Sequence, residues 1–294
     1  MSASPNLPSR APEWIRERKL RLADLHAVKS VMRSNGLHTV CEEARCPNRG
    51  ECFARGTATF LLLGDVCTRA CGFCDIRTSR PGPADPLEPW RVKSAAAAMN
   101  LAFVVLTSVD RDDLPDGGAE HFASTIRALR TLDPAPGIEV LTPDFQGRFD
   151  SLRVVVDAKP DVFNHNVETV PRLYHEVRRG AVLERSLGLL SAAKILDPGL
   201  TTKSGFMLGL GEREEEVQSL LERLAGASVD IVTIGQYLRP SKENLPVVEY
   251  VAPAVFDRYR ELGESFGFRH VFAGPFVRSS YRAEEALAAA SGGA

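Results

Sequence analysis

Cys67-Thr68-Arg69-Ala70-Cys71-Gly72-Phe73-Cys74 is the stretch on which the reading of this chain turns. It spaces three cysteines as C-x3-C-x2-C and sets an aromatic residue, Phe73, directly before the last. A second triplet lies upstream. Cys41, Cys46 and Cys52 are spaced C-x4-C-x5-C, and the 294-residue chain has no other cysteine. Cysteines used as small core hydrophobes would be scattered, so this crowding gathers thiolates for a purpose. Three chemistries compete. Disulfides staple short secreted domains that cannot build a core, whereas this chain is long and Met1–Arg21 reads without the apolar stretch of a secretory leader. Structural zinc takes four ligands, usually as cysteine pairs or with histidines at matched spacing. Neither triplet has a fourth ligand nearby, and His26, His38, His121, His165, His175 and His270 form no closely spaced pair. A 4Fe-4S cluster has four irons, usually each held by a thiolate, so a triplet leaves one iron open. An open position is where a catalytic metal site takes its substrate.

The second triplet, with Phe73 before its last cysteine, resembles the signature of the radical S-adenosylmethionine superfamily. The resemblance implies that Cys67, Cys71 and Cys74 hold a 4Fe-4S cluster whose fourth iron chelates the amino and carboxylate groups of S-adenosylmethionine. The first triplet is similar to that of the lipoyl synthase family, where it holds an auxiliary 4Fe-4S cluster. Arg278-Ser279-Ser280-Tyr281 resembles that family's tail motif, which implies Ser280 as the ligand of the auxiliary cluster's fourth iron. Read without the family, a Ser-Ser near a terminus is flexible surface. Thr107-Ser108-Val109-Asp110-Arg111-Asp112-Asp113-Leu114 and Gln236-Tyr237-Leu238-Arg239-Pro240-Ser241 are also similar to the family. One departure is Asn244, where members often carry His.

Composition narrows the class. Net charge is −2 and the sequence pI about 6.3, unlike the basic footprint of a nucleic-acid binder. The hydrophobic fraction is 44%, ordinary for a soluble globular protein, and the longest apolar runs are too short to span a membrane. Free thiols and iron–sulfur chemistry lead us to expect a reducing compartment such as the cytoplasm. Arg16, Arg18, Lys19 and Arg21 form a basic stretch, either a solvated segment or a dock for an acidic partner.

From about residue 58, short apolar runs alternate with helical patterns, the signature of βα units and a parallel sheet. Strands are expected at Ala58–Leu63, Leu101–Thr107, Ile138–Thr142, Val162–His165, Thr202–Leu208 and Asp230–Gly235. Helical spacing joins Phe122, Ile126 and Leu129; Leu183, Leu187 and Leu190; and Val217, Leu220, Leu221 and Leu224. A further helix near Pro253–Phe266 and a strand-like Arg269–Phe272 follow. Six repeats are too few for a closed eight-stranded barrel. The expected fold is α/β, a partial (β/α)6 TIM-like barrel with N- and C-terminal extensions, the fold the resemblance also implies. The expected division is 1–57, carrying the first triplet; 58–240, the core; and 241–294, carrying the tail motif. The second triplet then follows the first strand, on the face where parallel barrels place their chemistry.

Several strings suit a cofactor site there. Asp116-Gly117-Gly118-Ala119-Glu120 reads as a Gly-rich turn into a helix; beside the cysteine motif it resembles the superfamily's methionine-binding loop, with Gly117 and Gly118 allowing close approach. In Asn164-His165-Asn166-Val167-Glu168-Thr169, Asn166 and Glu168 are candidates for S-adenosylmethionine contact, against a structural loop role. Arg185 suits a bidentate pair with a carboxylate, or a helix surface. The glycines of Gly205-Phe206-Met207-Leu208-Gly209-Leu210-Gly211 resemble an adenine-side motif, or make a tight connection.

The resemblance implies insertion of two sulfurs at C6 and C8 of a protein-bound octanoyl-lysine, with the auxiliary cluster as donor. It implies a lipoyl domain or glycine-cleavage H protein as carrier, an electron donor such as ferredoxin or flavodoxin, and an iron–sulfur carrier to rebuild the cluster. Alternatives are a radical enzyme using its auxiliary cluster for electron transfer alone, or a non-enzymatic iron–sulfur carrier.

Overall fold

The computed structural model describes residues 11–16, 30–39, 48, 51–52, 57–280 and 283–285. Cys41, Cys46, Arg18, Lys19, Arg21 and Tyr281 lie outside the described residues. The chain forms strands β1 (His38–Thr39), β2 (Thr57–Leu62), β3 (Val66–Cys67), β4 (Arg77–Thr78), β5 (Phe103–Ser108), β6 (Gly137–Leu141), β7 (Val162–Asn164), β8 (Thr201–Leu208), β9 (Ile231–Gln236) and β10 (His270–Gly274). The main sheet runs β1-β2-β5-β6-β7-β8-β9-β10, with every pair from β2 to β10 parallel and β1 an antiparallel edge on β2. The order begins at β1 and ends at β10, so the sheet is an open, partial barrel.

Helices Glu88–Ala98, Ala119–Leu129, Phe149–Asp157, Leu183–Leu196, Glu214–Gly226 and Pro253–Ser265 make the crossovers. The reason is visible in their apolar stripes. Phe122, Ile126 and Leu129 are fully buried, as are Val217, Leu220, Leu221 and Leu224. Three glutamates in the first turn of Glu214–Gly226 complement the helix dipole, and Pro253 preorganises the first turn of the last helix. Two crossover helices have no counterpart among the sequence expectations. Glu88–Ala98 buries Val92, Ala95 and Ala96, a stripe too rich in alanine to stand out by hydrophobicity. Phe149–Asp157 is nine residues long and offers only Leu152, Val155 and Val156. In Leu183–Leu196 the buried face includes Ser186 and Leu189, while Leu187 sits at the margin of the core.

The strand-like segment of the C-terminal part is β10, which adds to the same sheet through parallel pairing with β9. Beyond it the tail passes back over the barrel. The Val277 carbonyl packs against Gly235 so closely that no side chain fits at that position. Ala283 is fully buried against Phe103 and Val105, and Thr57 Oγ1 donates to Glu284 Oε2 at 3.0 Å. The N-terminal part meets the same tail: Asn48 Nδ2 donates to the Phe276 carbonyl at 2.6 Å.

Strand alternation places Glu139 (β6) and Lys203 (β8) on the face that carries Leu141 and Gly205 two residues later. Both are fully buried, with Lys203 Nζ 2.9 and 3.1 Å from the Glu139 carboxylate and Asn164 Nδ2 donating to it at 2.7 Å. Breaking a buried pair costs more than replacing it. Lys203→Met is therefore expected to lower stability by about 3–5 kcal/mol, and Glu139→Gln added to it should recover most of the loss. Urea unfolding under anaerobic conditions measures both.

Candidate functional site

The C-terminal ends of the strands open into a cavity of about 490 Å³. Cys67 ends β3, and the loop that follows carries Cys71 and Cys74 into the cavity wall. Phe73, Asn166, Glu168 and Ser280 line the same space. Gly117, Gly118 and Arg185 are not among its lining residues.

The cysteine loop is held by a single guanidinium. Arg69, buried between Cys67 and Cys71, bonds Asp112 through Nε and Nη2 at 2.7 Å each and Asp144 through Nη2 at 2.7 Å. Its Nη1 lies 3.5 Å from Asp110. The loop is thereby tied to the segments that follow β5 and β6. Burial opposes the charge of Arg69, but its carboxylate bonds overcome that and keep it cationic. Burial likewise raises Asp144, yet Arg69, the Gln146 N–H and Arg185 together hold its carboxyl well below the usual range. The backbone continues the fastening. Thr68 N and Oγ1 both donate to the Asp110 carbonyl, at 3.0 and 2.9 Å, and Gly72 N donates to Val177 O at 2.9 Å. Gly72 has to be glycine, since a Cβ there would stand 2.7 Å from the Glu176 carbonyl and 2.7 Å from Leu245 Cδ1.

Burial keeps the three thiols protonated when no cation is beside them. Burial pushes Cys71 up to about 12 and Cys74 to about 11, and raises Cys67, with the Asp110 charge adding to Cys67 and Cys71. A bound cation reverses that balance by deprotonating its ligand thiols. Cys67 Sγ already accepts the N–H groups of Arg69 and Asp110, at 3.4 and 3.3 Å. Among the described residues, no three His, Cys, Asp or Glu side chains converge on one ion position. Cys67, Cys71 and Cys74 line one cavity, and three thiolates are the donor set that a 4Fe-4S cluster takes, each on a separate iron.

The rest of the wall fits a polar ligand beside it. Ser108 Oγ, Thr142 Oγ1 and Asn166 Oδ1 are buried, line the cavity and have no hydrogen-bond partner among the described residues. Unsatisfied buried polar atoms are uncommon and usually mark a missing partner. Glu168 holds a left-handed φ of 67°, and its backbone bridges to β8 through Met207 N and Gly205 O. Burial raises its carboxyl, with Arg178 opposing. Strain of this kind clusters at ligand sites.

Neighbours in the same strings serve the frame. Asn164 belongs to the buried Glu139–Lys203 group. His165 is pushed down to about 3, first by burial and then by Arg178. It stays neutral, with Nδ1 donating to Thr142 O at 2.8 Å and Nε2 accepting from Ser186 Oγ at 2.9 Å. Arg185 Nη1 bonds Asp144 Oδ2 at 2.9 Å, so it reaches the cysteine loop through Asp144 and Arg69. Gly117 and Gly118 take φ of 64° and 89° in the turn into Ala119–Leu129, and a Cβ on Gly118 would collide with Leu63. Gly205 lines the cavity; Gly209 and Gly211 do not. The sequence reading missed Arg69, Asp144 and Arg178. Arg69 sits inside the decisive motif, at a position where the cysteine spacing specifies no residue, and Arg178 stands in a turn with no periodic signal.

Comparison with known proteins follows this geometry. The family model described as the radical SAM superfamily matches residues 61–224. The lipoyl synthase of Methylococcus capsulatus is 52% identical, over 98% of this chain and 90% of that protein. That of Rubrobacter xylanophilus is 55% identical, over 93% and 85%. Among solved structures, Streptococcus suis SuiB bound to S-adenosylmethionine aligns with a TM-score of 0.56 at 12% identity, over 74% of this chain and 50% of that one. Methylornithine synthase PylB aligns with a TM-score of 0.55 at 14% identity, over 70% and 61%. At such identities these two structures establish a shared fold.

Gly72→Ala is expected to displace the loop, at the roughly 1–3 kcal/mol cost of overpacking. After anaerobic reconstitution, the variant should bind about half the iron of the parent while its far-ultraviolet circular dichroism is unchanged.

Proposed function

The chain belongs to the lipoyl synthase family, within the radical S-adenosylmethionine superfamily, and from that membership we propose which of its residues carry the reaction. The enzyme inserts two sulfur atoms, at C6 and C8, into an octanoyl chain on a lysine of a lipoyl-carrier protein. Its cofactors are two 4Fe-4S clusters and S-adenosylmethionine. Unactivated C–H bonds lie beyond side-chain acid–base chemistry, so the bound cofactors supply hydrogen abstraction and sulfur, and the protein supplies position and seclusion.

In this reading Cys67, Cys71 and Cys74 hold the cluster that binds S-adenosylmethionine and leave its fourth iron open. Phe73 packs beside it. Asn166, Glu168 and Arg178 line the cavity and offer an amide, a carboxyl and a guanidinium to the ligand. Arg185 acts on the site through Asp144, and Gly117–Gly118 through the turn that sets Leu63. Cys41, Cys46, Cys52 and Ser280 hold the auxiliary cluster. One observation carries this assignment: Ser280 lines the cavity of the second triplet, while Asn48, inside the first triplet, bonds Phe276 four residues before Ser280. A serine oxygen suits iron–sulfur less well than thiolate, so Ser280 is the ligand that lets the sacrificial cluster open.

The three parts, 1–57, 58–240 and 241–294, divide the work: auxiliary thiolates, radical core, and the tail that brings Ser280 back. The carrier is a lipoyl domain or glycine-cleavage H protein, electrons come from a ferredoxin or flavodoxin, and an iron–sulfur carrier rebuilds the auxiliary cluster. Among the described residues no helix is long and apolar enough to cross a membrane, which is compatible with work in the cytoplasm.

Anaerobic reconstitution with an octanoylated peptide should give, by mass analysis, product carrying two added sulfurs drawn from cluster sulfide. Ser280→Cys should keep both clusters and still cleave S-adenosylmethionine but yield little dithiolated product. Unchanged turnover would remove the weak-ligand role.

A further inference from the structure

We propose that Asn244 is a positioning residue for the S-adenosylmethionine-binding cluster, fixing the last cysteine of the triplet by donating to its carbonyl. Asn244 Nδ2 lies 2.8 Å from Cys74 O, across 170 positions of sequence. A carbonyl only accepts, so the atom facing it is the amide nitrogen. Its other atom, Oδ1, accepts from Ser241 Oγ at 2.7 Å, which locks the amide orientation. The side chain is thus a strut between two fixed points.

The surrounding backbone carries the strut to the right place. Tyr237, at the end of β9, donates its hydroxyl to Leu245 O at 2.7 Å. Leu245 N donates to Gly72 O at 2.9 Å, and Arg239 Nε donates to Asn244 O at 2.9 Å. Residues 237–245 therefore meet the cysteine loop at two nearby carbonyls, Gly72 and Cys74. The Gly72 contact is main chain and indifferent to sequence. The Cys74 contact depends on the side chain at 244. Without it, Cys74 keeps the bond from its N–H to Cys71 O at 3.1 Å and the Ile76 N–H on its thiol, while among the described residues Asn244 is the side chain that holds its carbonyl.

The donor is neutral, which suits a position beside Asp75 and the thiols, where a cation would change the charge felt by the cluster. Histidine supplies an equivalent N–H from a ring of similar reach, so a histidine at 244 would keep the bond's chemistry. The inference rests on Cys67, Cys71 and Cys74 being cluster ligands.

The test uses the full chain, reconstituted with both clusters. Asn244→Leu keeps the branching at Cγ and removes the donor; Asn244→His restores one. Two signals are read: the change in the electron paramagnetic resonance of the reduced cluster when S-adenosylmethionine is added, and the rate at which an iron chelator abolishes that change. Asn244→Leu should lose the responsive signal about 2–10-fold faster, the change that one hydrogen bond makes. Asn244→His should stay within about twofold of the parent, and Ser241→Ala should fall between. Equal rates for parent and Asn244→Leu overturn the proposal, as does Asn244→His behaving like Asn244→Leu. A parent whose signal ignores S-adenosylmethionine overturns the cluster assignment itself. A parent that responds while the variants do not differ overturns the strut alone.

Discussion

The site depends first on Arg69. Its guanidinium is buried inside the loop that carries the three cysteines, and charge-assisted bonds join it to Asp112 and Asp144. A loop with so many polar backbone groups has little apolar surface to hold it down. The buried ion network replaces that missing packing. It also reaches outward: Asp144 binds Arg185, so the start of helix Leu183–Leu196 and the cysteine loop share one carboxylate. Arg185, a candidate ligand residue in sequence, is in this way drawn into the frame that holds the cysteine loop.

The barrel beneath is built to leave its mouth free. Parallel strands buried on both faces, as β2 and β9 are, demand crossover helices on the outside and send the polar strand-end loops to one end. The sheet order begins at β1 and ends at β10 without closing. Val277 and Ser280 line the cavity, Ala283 packs against Phe103 and Val105 near the start of β5, and Asn48 ties the N-terminal part to Phe276.

Much of this was legible in sequence. The six core strands fall within two residues of their expected bounds at each end because unbroken runs such as Thr57–Leu62 and Ile231–Gln236 have no other stable use. Helix Glu214–Gly226 was legible because four large apolar residues share its buried face. Helix Glu88–Ala98 was not, because alanine fills its buried face and scarcely differs from a surface residue in hydrophobicity. Asn166 and Glu168 were picked out by lying just past a strand end, where side chains meet the mouth. Arg178 escaped because it sits in a turn, and Arg185 was read without sight of Asp144, 41 positions away.

Cysteine count, spacing and the aromatic before Cys74 are local, and the sequence by itself determined them: two cysteine triplets and the family they resemble. Covalent geometry carries that information, since residues three or four apart cannot separate. The partners that complete the site are another matter. Asn244 on Cys74, Asn48 on Phe276 and Asp144 between Arg69 and Arg185 join positions 41 to 228 residues apart. No spacing rule marks such pairs, because they exist only after the sheet has fixed which loops share a rim, and only the tertiary structure could decide them.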